Sequence, residues 1–177
     1  MSILTRFPSR TDILSVFAVC VIPIFVWALI SYFYAVPGFV LRFSIWDLVG
    51  TASYILAFAL IESIVILLPF ILLAAILPSR FFKDHFTALA SSIILISSAW
   101  VMVANYQDIN FADWNLAQFL PFLLLYLISI AIPILVILRS KRIEQIIQAL
   151  IRQVSVLGYV YVALACISVL IVIIRNL

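Results

Sequence analysis

Leu48–Leu77 reads LVGTASYILAFALIESIVILLPFILLAAIL, an apolar run that carries one charged side chain, Glu62. Water is a poor solvent for such a segment; a bilayer is a good one. A spanning helix needs about 20 mostly apolar residues, because backbone amides in hydrocarbon must be satisfied within the segment. Barrel strands alternate over about ten residues, much shorter than this run. The segment is therefore read as a transmembrane helix. Its roughly 30 residues extend about 45 Å at 1.5 Å each, against a hydrocarbon core of about 30 Å. Such a helix tilts or protrudes, and Pro69 offers a place for it to bend.

The same reading extends to four further runs, giving spans over 13–34, 48–77, 86–106, 116–138 and 154–174. The expected fold is all-α: a polytopic membrane protein, one transmembrane domain over 1–177, built as a bundle of five helices. Composition agrees. Hydrophobic residues make up 68% and charged residues 10%, where a soluble domain carries roughly 25% charged. Mean hydropathy is +1.36. No internal repeat, low-complexity tract or charged linker divides the chain. Arg6 and Arg10 precede the first span, which is longer than a signal peptide's apolar core and has no small-x-small site after Tyr34. It is expected to remain as a signal-anchor.

Five spans place the termini on opposite sides. Arg6, Arg10, Arg80, Lys83, Arg139, Lys141, Arg142 and Arg152 fall on the N-terminal side; only Arg42 and Arg175 fall on the other. The positive-inside bias then predicts a cytoplasmic N-terminus and an outer C-terminus. Trp46, Trp100 and Trp114 fall near the outer boundary, where indole rings favour headgroups. Between spans four and five, Ile143, Ile146, Ile147, Leu150, Ile151 and Val154 recur at helical spacing, opposite Arg142, Glu144, Gln145, Gln148, Arg152 and Gln153. This pattern predicts a short amphipathic cytoplasmic helix over about 139–153, lying along the membrane surface. Arg80, Lys83, Arg139, Lys141, Arg142 and Arg152 are the candidate contacts to anionic lipid.

Glu62 lies near the middle of its span, where a charge costs roughly 2.5–3.5 kcal/mol. No Lys, Arg or His stands at similar depth elsewhere. Depth matching offers Ser97, Ser98, Tyr126, Ser129 and Tyr161 as hydrogen-bond partners. The expectation is a neutral acid holding helices in register, with a proton- or cation-binding site on a transport path as its rival. Ser91, Ser92, Ser97 and Ser98, with Ala88 and Ala99, suit close helix packing. Pro23, Pro69, Pro121 and Pro133 read as kinks.

Catalytic patterns are lacking: there is no HExxH, CxxC, GxSxG, P-loop or GxGxxG. No catalytic residue, metal or cofactor is expected. Cys20 and Cys166 read as small core residues. Asp84 beside His85 is the one conceivable acid–base pair, near the cytoplasmic headgroups. Asp108 and Asp113, with Asn110 and Asn115, match no EF-hand spacing and read as a solvated turn. Arg42 is expected to meet a phosphate or Asp47.

The pieces Leu60-Ile61-Glu62-Ser63, Leu77-Pro78 followed by Phe82-Lys83-Asp84-x-Phe86, and the ending Arg175-Asn176-Leu177 resemble small multi-pass membrane proteins of bacteria that have no assigned activity. The resemblance implies a bacterial inner membrane and transfers no ligand or catalytic residue. Partners expected are the lipid bilayer and another membrane protein or a second copy, not nucleic acid. The leading functional expectation is a non-enzymatic subunit or scaffold of a membrane assembly. A small proton- or cation-coupled transporter centred on Glu62 comes second, and a lipid-acting membrane enzyme third.

Overall fold

A computed structural model describes residues 7–77, 82–107 and 114–177. Five helices account for nearly all of them: α1 (Arg10–Val40), α2 (Ile45–Ile76), α3 (Phe86–Tyr106), α4 (Leu116–Arg139) and α5 (Lys141–Asn176). Each is long and apolar enough to cross a membrane. The chain is an all-α bundle, as its hydropathy dictates.

Helix starts follow local chemistry. Ser9 caps α1 by accepting the Asp12 N–H. Ser44 with Asp47, and Asn115 with Gln118, close reciprocal capping boxes at α2 and α4. Helices α1, α2 and α4 run through their internal prolines.

Cross-links between helix ends establish the up-and-down order. Thr87 donates to Asp12 (3.1 Å) and His85 Nδ1 lies 2.8 Å from Glu144 Oε1, so α1, α3 and α5 start together. At the opposite end Tyr32 donates to the Leu48 carbonyl (3.0 Å), Arg175 bonds Asp47, and Asn176 meets Tyr54. Helix α1 is central and packs against α2, α3 and α5; α4 sits at the rim against α3 and α5. Accordingly α1 buries Val16, Ala18, Val19, Cys20 and Val21 in an almost unbroken run, whereas α4 buries Ile137 alone.

Small residues set the tightest crossing. Gly158 of α5 faces the backbone of Ala18 in α1, leaving no room for a Cβ. Ser155 and Ala165 continue this buried stripe. With lipid as solvent there is little hydrophobic drive between helices, so close approach and dispersion hold the contact.

The separate surface helix expected over 139–153 is not present. Helix α4 ends at Arg139, Ser140 alone is extended, and α5 runs unbroken from Lys141 through the former boundary at Val154. Nothing between 141 and 154 is glycine or proline, so nothing stops the helix. Its apolar face is also used differently. Ile151 is buried and Ile147 packs against the core to which α1, α2, α3 and α4 contribute, while Ile146 and Leu150 stay exposed. The amphipathic stretch is the first part of a 36-residue helix, about 54 Å long.

Candidate functional site

Helices α2 and α3 both flank α1 but scarcely touch each other. The gap between them is a groove of about 700 Å³, open along one side. Its floor is α1, with lining residues at three- and four-residue spacing from Cys20 through Ala28 and Ser31 to Phe39. One wall is α2 from Ile55 to Phe70, with Glu62 midway. The other is α3 from Ile94 to Met102, with Ser97 and Ser98. Glu62, Ser97, Ser98, Ser31 and Tyr32 are the polar exceptions along an otherwise apolar surface apart from Cys20.

The next residue explains why Glu62 points there. Ser63 is fully buried against α1, where its carbonyl accepts from Cys20 Sγ at 3.5 Å. Successive side chains on a helix are turned by about 100°, so Glu62 is carried off the packed face. It is exposed on the bundle, and among the described residues its carboxyl has no hydrogen-bond or ion-pair partner. The acid was expected to be tied to a serine or tyrosine. The fold does not do this.

The five expected partners are divided among three places. Ser97 and Ser98 share the groove with Glu62, yet their hydroxyls are engaged elsewhere. Ser97 Oγ lies 3.0 Å from the Tyr126 hydroxyl, and Ser98 donates to the Ile94 carbonyl at 2.7 Å. Tyr126 and Ser129 instead fasten α4 to α3. Trp100 Nε1 donates to Ser129 Oγ (2.9 Å), and its ring meets Phe122 edge-on with centroids 4.8 Å apart. Tyr161 packs on Phe25 (centroids 5.6 Å) in the core shared by α1, α2 and α5.

Sequence reading missed two polar clusters because each joins residues far apart in the chain. At the end carrying the N-terminus, Glu144 accepts from Gln148 (3.1 Å) and pairs with His85. His85 therefore turns to Glu144 and not to Asp84, its neighbour in sequence. At the other end Asp47 takes Arg175 (2.6 Å) in place of the expected Arg42, while Arg175 also donates to the Trp46 carbonyl (3.1 Å). Gly50 leaves the space in which that guanidinium lies. Cys166, expected in the core, faces outward, whereas Cys20 is buried.

Among the candidate lipid contacts, Arg139, Lys141, Arg142 and Arg152 are exposed and Lys83 is half-buried. Arg80 lies outside the described residues, as do Asp108, Asn110 and Asp113. Among the described residues no group of His, Cys, Asp and Glu side chains could hold a metal ion.

No known family, curated protein or solved structure matches this chain. The resemblance to bacterial multi-pass proteins gains no support from these comparisons, and the functional reading rests on the groove.

Proposed function

We propose that this chain is a non-enzymatic subunit of a membrane assembly and that a partner covers its Glu62 groove. The observation carrying this reading is the unpartnered carboxyl on the open side of α2, in the middle of an apolar span. A charge or an unsatisfied acid facing hydrocarbon is costly. A protein surface that supplies a donor removes that cost, as bundle-facing acids in membranes do. The reading places the chain in a bacterial inner membrane with its N-terminus in the cytoplasm, supported by the basic residues that gather at one end. Exposed Arg139, Lys141 and Arg142 there suit contact with anionic headgroups.

Photo-cross-linking in native membranes tests it. A photoreactive residue at Phe58, on the groove rim and exposed, is expected to give a discrete protein adduct. The same residue at Val156, exposed on α5, serves as the lipid-facing control. A chain that yields lipid adducts at both positions and purifies alone in mild detergent ends the proposal.

A second reading, a proton- or cation-coupled transporter, is favoured by Ser97 and Ser98 lining the same groove as Glu62. Comparing flux in proteoliposomes between wild type and Glu62→Gln decides it; equal flux removes it.

A further inference from the structure

Resting on the subunit reading, we propose that the occupant of the groove is a single transmembrane helix carrying a lysine or arginine at mid-depth. Three features of the groove point to a helix. First, its floor along α1 from Cys20 to Phe39 is about 28 Å long, close to the hydrocarbon thickness of about 30 Å. Second, each of its three surfaces repeats at three- and four-residue spacing, which is the period of the side-chain ridge another helix presents. Third, Ala28, Ser31 and Ala35 on the floor and Ala59 on the wall are small, allowing close backbone approach.

Charge selects the partner. Among the described residues no donor of the bundle reaches the Glu62 carboxyl: Ser98 gives its hydroxyl proton to the Ile94 carbonyl, Ser97 is paired with Tyr126, and Tyr32 donates to the Leu48 carbonyl. No Lys, Arg or His lies at that depth in any span. A second copy of the chain would bring only another carboxyl to this level, and like charges disfavour each other. A basic side chain from a different helix supplies both the hydrogen bonds and the opposite charge.

The experiment uses the full chain in phosphatidylcholine vesicles. Dye-labelled synthetic Leu/Ala helices carry either one central lysine or a leucine there, and association is read by energy transfer to the labelled protein. The lysine helix is expected to associate at least about tenfold more tightly than the leucine helix. That preference is expected to vanish in Glu62→Gln, whose shape is conserved, and to reverse toward a central-glutamate helix in Glu62→Lys. Ala28→Leu, which fills the floor, is expected to abolish association while Glu62 remains. Equal association of lysine and leucine helices overturns the charge match but leaves a helix-accepting groove, and so leaves the subunit reading standing. Stoichiometric displacement of the lysine helix by dodecylamine, with the same dependence on Glu62, overturns the helix in favour of a lipophilic amine. A lysine helix that binds with the expected dependence on Glu62, while Phe58 and Val156 both give lipid adducts in native membranes and the chain purifies alone, removes the subunit reading and with it the native occupant, leaving only the charge selectivity of the groove.

Discussion

Gly158 of α5 lies against the main chain of Ala18 in α1 so closely that a Cβ at position 158 would sit within 2.7 Å of the Ala18 Cα. The opposing surface is backbone, which cannot swing aside as a long side chain can. The two helices must separate to admit even a methyl group. Gly158→Ala is expected to cost about 1–3 kcal/mol, the usual range for overpacking. Gly158→Leu is expected to part α1 from α5 altogether. Thermal unfolding in detergent, with cross-linking of cysteines placed across the α1–α5 contact, measures both.

Gly50 presents the opposite case. A Cβ there would meet the Arg175 guanidinium, and that side chain can move. Gly50→Ala is therefore expected to displace Arg175 from Asp47 and the Trp46 carbonyl while leaving the helices in place. The side chains of the pair are 28% and 40% exposed, so water screens them and the loss should be small and shrink at high salt. Arg175→Gln should cost a similar amount, and the double variant no more than either alone. Additive losses would show that the two residues act separately.

Trp100, Tyr126 and Ser129 make the polar links between helix α4 and α3. Ser129→Ala removes one interhelical hydrogen bond, worth on average about 0.6 kcal/mol in a membrane bundle. Trp100→Ala removes that bond together with the edge-on contact to Phe122, and is expected to cost severalfold more. Amide exchange in α4 should rise well before exchange in α1 does. Uniform acceleration across all five helices would contradict this.

His85 and Glu144 tie the start of α3 to the first turn of α5. Their side chains are only 21% and 12% exposed. A double-mutant cycle with His85→Ala and Glu144→Ala should return a coupling of roughly 0.5–1.5 kcal/mol. Exchange should increase over 141–148 and remain low at Gly158. A coupling of zero would mean that α5 is anchored at this end by Ile147 and Ile151 alone.

Ser91 is fully buried, and among the described residues its hydroxyl has no hydrogen-bond partner. A buried hydroxyl without a partner is penalised by about 1–3 kcal/mol. Ser91→Ala is expected to raise the melting temperature in detergent, since the methyl fits the space already held by the serine Cβ. A lower melting temperature would reveal a bond made by that hydroxyl in the membrane.

The helical plan was legible in the chain because hydrocarbon leaves a long apolar backbone no other way to satisfy its amides. The third span, 86–106, coincides with α3, and the fourth differs from α4 by one residue. Glu62 was also identifiable as exceptional, since depth and charge depend on position along one segment. Which way its side chain turns was not: rotation about a helix axis is set by neighbours, and Ser63 with Cys20 decides it. The same applies to the pairs His85–Glu144 and Asp47–Arg175, whose members are remote in sequence and meet only when α5 stands beside α3 and α2. Local spacing determines what crosses the membrane, while packing of one helix face on another determines which polar groups are satisfied within the bundle and that Glu62 is left without a partner.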